Sequence, residues 1–271
     1  MSQRPLSPVL FIPHGGGPLP LLGEPGHRQL VDFLKAIPGR IEEPKAILVI
    51  SAHWEEPEAS LLSGAKPPLY YDYYGFPPEA YEIQYPAAGL PELAGRVQEL
   101  LTQSGIAASS NAERGFDHGL FVPLKLMYPR ADIPCIEVSL LADMNPAAHI
   151  AIGKAIAPLR RNGVMILGSG ASYHNMQAPR AGIDPGEEEI AQFDQWLVET
   201  CTAPELGPKD REQRLINWLE APHARFCHPR EEHLLPLHVC FGAAFEGAEV
   251  PPAELVFEAP MMGRTMLSFL W

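Results

Sequence analysis

The run Ala46-Ile-Leu-Val-Ile50 constrains this chain more than any other stretch. It is continuous, apolar and rich in β-branched residues, the pattern of a parallel strand buried on both faces. Pro44 and Lys45 mark its start, and Ser51-Ala-His53-Trp54 closes it. In an open α/β sheet, ligands bind in the crevice beyond the C-terminal strand ends. An imidazole at such an end stands where chemistry is expected.

Two further apolar runs end in the same way. Residues 9–12 lead into Pro13-His14-Gly-Gly-Gly17-Pro18, and residues 164–167 lead into Gly168-Ser-Gly-Ala-Ser-Tyr-His174-Asn175. Three consecutive glycines permit tight turning and close backbone approach to a bound molecule. Helical spacing over residues 28–37 makes a β-α-β unit of the first two runs, with a histidine at each strand end. Further strands are expected at residues 60–63, 133–140, 254–257 and 266–270. Helices are expected at residues 90–103, 120–127, 147–159, 187–202 and 211–219. A last, apolar helix should begin near Pro229, with Glu231 and Glu232 in its first turn, and run through Phe245. The pattern predicts an α/β fold: one domain over residues 1–271, a central mixed, largely parallel sheet flanked by helices, and the active site at the strand C-terminal ends.

Composition sets the remaining bounds. The 271 residues, 46% of them hydrophobic, suffice for one large core or two modest ones, and no composition break divides them. The net charge is −13 with no basic cluster, which argues against nucleic acid or an anionic membrane as partner. No run of about 18 apolar residues is present, so no transmembrane helix is expected. The opening residues, Met-Ser-Gln-Arg-Pro-Leu-Ser-Pro, lack the apolar stretch of a secretion signal. Cys135, Cys201, Cys227 and Cys240 form no C-x-x-C pair and read as reduced thiols of a cytoplasmic protein, monomer or homodimer.

Residues 67–89 break the regular pattern. Five of the eight tyrosines lie between positions 70 and 81, among prolines and glycines. This is a structured loop, and its aromatics either wall a planar ligand or anchor the loop on the core.

The chain has ten histidines. His14, His53 and His174 follow apolar strands. His118 lies in a loop between Asp117 and Gly119, and His233 lies in the first turn of the last helix. His27 and His149 read as helix-surface positions, while His223, His228 and His238 remain open. Dispersed histidines gathered by a sheet suit a divalent metal held by neutral imidazoles, which Zn, Fe, Cu and Ni all accept. Other chemistries lack their signatures. Gly168-Ser169-Gly170 is not a nucleophile elbow, and Gly15-Gly16-Gly17 lacks the Lys-Ser/Thr of a phosphate loop.

His14-Gly-Gly-Gly-Pro18, Ser51-Ala-His-Trp54, Gly115-Phe-Asp-His-Gly119, His174-Asn175 and Glu232-His-Leu-Leu-Pro236 occur in this order. Together with Tyr74-Gly-Phe-Pro-Pro78 and Tyr85-Pro-Ala-Ala-Gly89 they resemble the 4,5-DOPA extradiol dioxygenase family, within the ring-opening superfamily that includes protocatechuate 4,5-dioxygenase. The resemblance runs from about residue 9 to about residue 245. It implies a non-haem Fe(II) site with His14, His53 and His233 as metal ligands, His174 as acid/base, and His118 against the substrate. Zn(II) is the other metal expected in the isolated protein. Gly16, Tyr74 and Phe76 are the expected substrate contacts. Glu232, on a helix, would point about 100° away from His233. Many members have His-Gly-Ser-Pro after the first ligand, where this chain has His-Gly-Gly-Gly-Pro. The implied reaction opens a catechol ring with O2 to a muconic semialdehyde, in the catabolism of aromatic compounds. The alternatives on the same histidines are a zinc-dependent hydrolase and a non-catalytic binding relative.

Overall fold

The computed structural model describes residues 6–176 and 186–271; the N-terminal reading of residues 1–5 lies outside them. The first strand, β1 (Val9–Pro13), is buried along its whole length. Each of its four large apolar side chains contributes about 1.5–3 kcal/mol when removed from water. Then come α1 (Arg28–Ala36), β2 (Ala46–Glu56), β3 (Ala59–Leu62), α2 (Pro91–Gln103), β4 (Ala108–Asn111), α3 (His118–Met127) and β5 (Cys135–Leu141). The chain continues with α4 (Pro146–Ile156), β6 (Val164–Gly170), α5 (Glu187–Thr202), α6 (Pro208–Ile216), the single turn α7 (Ala224–Cys227), α8 (Leu235–Ala243), β7 (Glu254–Met261) and β8 (Arg264–Leu270).

The eight described strands form one mixed sheet in the order β4-β3-β5-β2-β6-β1-β8-β7. Its centre, from β5 to β1, is parallel; β8 runs antiparallel to β1, and β3 antiparallel to β5. The β-α-β order expected from the first two runs is present, but β1 and β2 do not pair with each other. The strand β6 inserts between them and pairs with both. Each of the three strands that lead to a histidine therefore lies beside another of the three, at the middle of the sheet.

The sequence does not announce β4 or α7, and α6 starts and stops three residues before the expected 211–219. Three further departures bear on the site, each for a local reason. The strand expected to stop at Ile50 continues to Glu56. Its ladder to β6 ends at Ser51↔Ser169, and its register with β5 shifts between Ile50 and Glu55. His53 thus emerges from a bulged stretch where both ladders have released the backbone, and bulges of this kind re-aim side chains. His118 is the first residue of α3 rather than a loop residue, with Asp117 as the N-cap. The last helix begins at Leu235, with Pro236 in its first turn. Proline is favoured there, so Pro236, and not Pro229, marks the start. Every residue of α8 is buried, as an all-round apolar helix should be. It packs on β1, β2 and β6. No helix among the described residues is long and apolar enough to cross a membrane.

Candidate metal centre

His14 follows directly on β1, His53 leaves β2 at its bulge, and His233 sits in the turn before α8. Although distant in sequence, these three offer ring nitrogens that all lie within 4.8 Å of one another. One backbone hydrogen bond and one side-chain ion pair bring His233 to the strand ends. The Ala171 amide, just past β6, donates to the His233 carbonyl at 2.9 Å. Arg230, three residues earlier, forms a bidentate ion pair with Glu55 of β2.

Each imidazole is oriented through its Nδ1. Ser169 Oγ donates to the Gly119 carbonyl at 2.5 Å, so toward His14 it acts as acceptor, 3.0 Å from Nδ1. This fixes the Nδ1–H tautomer of His14 and leaves Nε2 a bare lone pair. His233 Nδ1–H donates to Glu232 Oε1 at 2.9 Å. His53 Nδ1 lies 3.7 Å from Asp72 Oδ2, and its amide donates to Ser51 Oγ, which in turn donates to Asp117. Such partners fix tautomer and ring orientation in metal sites.

Electrostatics keep these rings neutral. Burial lowers His14 and His233 well below the ordinary histidine value, and neighbouring histidines lower them further; Glu232 partly opposes the shift at His233. His53 is lowered to about 4, by burial first and then by His118. The Nε2 atoms of His14 and His53 stand 2.9 Å apart. Two bare lone pairs at that distance repel, unless a cation lies between them. Two nitrogens at about 2.1 Å from one metal and at right angles to each other would be about 3 Å apart. The donor set therefore fits a divalent transition metal.

His174 stands outside this trio and groups instead with Glu232 and His233. It stacks on the His233 ring, with centroids 3.4 Å apart and planes at 19°. Its Nδ1 donates to the same Glu232 Oε1 at 3.0 Å. Glu232 therefore does not point away from His233. It lies in a turn, not a helix, and its carboxylate folds back beneath both rings. His118 faces the trio from the other side, its ring centroid 3.9 Å from that of His53. Asp72 Oδ1 accepts from both its backbone N–H and its Nδ1–H.

A cavity of about 450 Å³ opens over these rings. Gly16, Tyr73, Phe76, His118 and His174 are among its lining residues. Tyr74 is not; it is 90% exposed. Tyr73, anchored by its hydroxyl on the Ala80 carbonyl, turns inward and is buried, while its neighbour Tyr74 faces outward. Gly75, at φ +77°, brings Phe76 back to the wall. Asp72 and Ser169 escaped the sequence reading; Tyr73 was covered only as one of the loop's aromatics, and the β7 and β8 strands were expected but not their place at the cavity.

The histidines read as surface residues are buried. His27 accepts from the Gly16 amide at 3.0 Å and pairs with Glu24, which holds the glycine loop in place. His149 Nδ1–H donates to the Asn145 carbonyl, and its Nε2 accepts from the Leu141 amide. His228, which the sequence left open, is buried as well and donates to the Ser172 carbonyl at 2.8 Å.

Comparisons with known proteins bear on the family and the fold. The chain is 40% identical over 264 residues to the dioxygenase tasH of Hapsidospora irregularis, covering 92% of this chain and 82% of that one. It is 37% identical to the 4,5-DOPA dioxygenase extradiol of Beta vulgaris, over 94% of this chain and 92% of that one. It is 33% identical to the protein of the same name from Escherichia coli K12, over 96% and 93%. A crystal structure of an uncharacterized protein from Escherichia coli K12 superposes with a TM-score of 0.76 at 30% identity, over 97% of this chain and 99% of that one. The family model described as the catalytic LigB subunit of aromatic ring-opening dioxygenase matches residues 8–265, and with relatives of this identity along almost the whole length, the chain belongs to that family of extradiol ring-cleaving enzymes.

Proposed function

We propose that this ring-opening dioxygenase uses Fe(II) held by His14, His53 and His233 to cleave a substituted catechol of the DOPA type. The supporting observation is the convergence of three neutral imidazoles whose Nδ1 sides face protein acceptors or carboxylates. Bound there, Fe(II) would supply the Lewis acidity that acidifies a catechol hydroxyl and the electron path between substrate and O2. The remaining work falls to the protein's own side chains. His174, with its Nδ1 on Glu232, presents Nε2 to take the second hydroxyl proton and return it on ring opening. His118, held by Asp72, presents Nε2 as a hydrogen-bond partner for the substrate oxygen. Tyr73 and Phe76 flank the ring and exclude water, and Gly16 lets the substrate approach the backbone. Both atoms of O2 enter the product, a muconic semialdehyde, so no further reductant is required. The four free, buried cysteines fit a reducing compartment, and we place the enzyme in the cytoplasm.

The test is oxygen uptake across a catechol panel by anaerobically Fe(II)-loaded protein, combined with metal analysis. Uptake with a yellow product is expected. Bound iron without uptake on any catechol would refute the reading, and turnover of an ester or amide with Zn(II) and no O2 would favour the hydrolase. His174→Ala should retain metal and lose turnover by about 10²–10⁴-fold; loss of metal instead would make His174 a ligand.

A further inference from the structure

Glu137 stands in the middle of β5 at 0% exposure, among the buried Cys135, Ile136 and Val138. Its backbone pairs with Val49 of β2, in the parallel centre of the sheet. A carboxyl group in such a place is costly unless it is hydrogen-bonded and its charge is paired or removed. Both of its oxygens are buried, and no described N–H or O–H donor meets either of them. What lies within hydrogen-bonding reach is the side chain of Asp117. Two ionised carboxylates offer acceptors only. The contact is a bond only when one of the pair carries a proton.

The partners of Asp117 decide which one. Ser51 Oγ–H donates to its Oδ1 at 2.8 Å, and Arg114 Nη2–H donates to its Oδ2 at 2.9 Å. Asp117 therefore holds the negative charge opposite the guanidinium, and the proton belongs to Glu137. Burial first, and then the Asp117 carboxylate, raise Glu137 well above the ordinary carboxylate value, in agreement with this count.

Two links run from Asp117 to His53. Ser51 Oγ accepts from the His53 amide at 3.2 Å, and Arg114 Nη2 reaches the His53 carbonyl at 3.5 Å. These links hold the stretch of β2 that both ladders release at the bulge. Arg114 is itself confined, since its guanidinium lies over the rings of Trp54 and Tyr70, at 4.8 and 5.0 Å. Asp117 is the N-cap residue of α3, yet its side chain makes no cap bond to that helix; it serves the network instead.

We propose that Glu137 is a positioning residue of the metal centre: a protonated acid that donates to Asp117 and so fixes, through Ser51 and Arg114, the backbone on both sides of His53. The proposal rests on His53 as a metal ligand and adds what sets that ligand in place. Position 137 must supply a hydrogen-bond donor to Asp117, and a negative charge there has no role.

Fe(II) affinity is measured anaerobically by competition with a chelator, with thermal midpoints alongside. Glu137→Leu, which roughly keeps the volume and removes the donor, should lower the affinity about 10–100-fold. Glu137→Gln, whose amide N–H can replace the acid O–H, should restore most of it. Ile136→Ala, on the same strand, controls for lost stability and should leave the affinity unchanged. Infrared difference spectra of the metal-free protein at neutral pH should show a protonated-carboxyl band that Glu137→Gln removes. Loss of an ionised-carboxylate band instead, a Gln variant as weak as the Leu variant, or a Leu variant as tight as the wild type would each overturn the proposal. Should the Leu variant not fold, Ser51→Ala cuts the link from Asp117 to the His53 amide and should show the same loss; unchanged affinity there would also overturn it. A wild type that binds no Fe(II) would refute the metal reading and this proposal together, whereas a wild type that binds it with variants indifferent would refute the proposal alone.

Discussion

The tautomer of His14 depends on a hydroxyl that meets the ring at Nδ1, away from the nitrogen that faces the other imidazoles. Because Ser169 gives its proton to the Gly119 carbonyl, it can only accept from His14, and Nε2 is left bare. Ser169→Ala removes that acceptor while leaving all three ligands in place. Metal affinity is expected to fall about 10–100-fold, measured by competition with a chelator, with the thermal midpoint as control. Unchanged affinity would mean that packing alone orients the ring. At this scale the sequence revealed the histidines and little of what holds them. His14, His53 and His174 are legible because each follows an apolar run. Asp72 is not, because it lies in a loop without periodicity. Ser169 is not, because a serine between glycines at a strand end has no distinguishing signature.

Among the elements, β6 connects the parts of the centre. It pairs with β1 and β2, carries Ser169, and passes His233 at very close range. A Cβ on Gly170 would stand 2.2 Å from the His233 carbonyl oxygen. A similar crowding occurs far from the site, where a Cβ on Gly242 of α8 would stand 2.1 Å from the Ile150 carbonyl of α4. Both Gly170→Ala and Gly242→Ala should therefore cost about 1–3 kcal/mol in urea unfolding. Only Gly170→Ala is expected to weaken metal binding as well; equal metal affinity in the two would show that His233 is not set by β6. Element types were mostly readable from apolar periodicity, α5 to the residue. The turn at Glu231–Leu234 was not, because two acidic residues after Pro229 imitate a helix start. The carboxylate of Glu232 was consequently assigned the wrong direction.

Across the whole molecule, buried neutral histidines make stability depend on pH. His149 and His228 are both lowered to about 4, first by burial, against ordinary values near 6.5. Below pH 6.5 the unfolded chain takes up protons that the folded chain refuses. Stability is then complete above pH 6.5 and falls as pH drops toward 4, by up to about 3 kcal/mol for each histidine. Urea midpoints over this range should fall accordingly, and His149→Gln should flatten the slope; a flat wild-type profile would contradict it. The α/β class was evident from alternating strands and helices. The strand order was not, since pairing between strands some 150 residues apart leaves no local trace. That order also bears on synthesis. The wholly buried β1 is the first described strand to leave the ribosome, yet its neighbours are β6 and β8, the latter at residues 264–270. A nascent chain must therefore shield an unpaired apolar strand until β6 and then β8 have been translated. Until His233 has been translated as well, the imidazoles of His14 and His53 lack their third neighbour, so the candidate metal centre cannot be assembled before α8 begins to emerge.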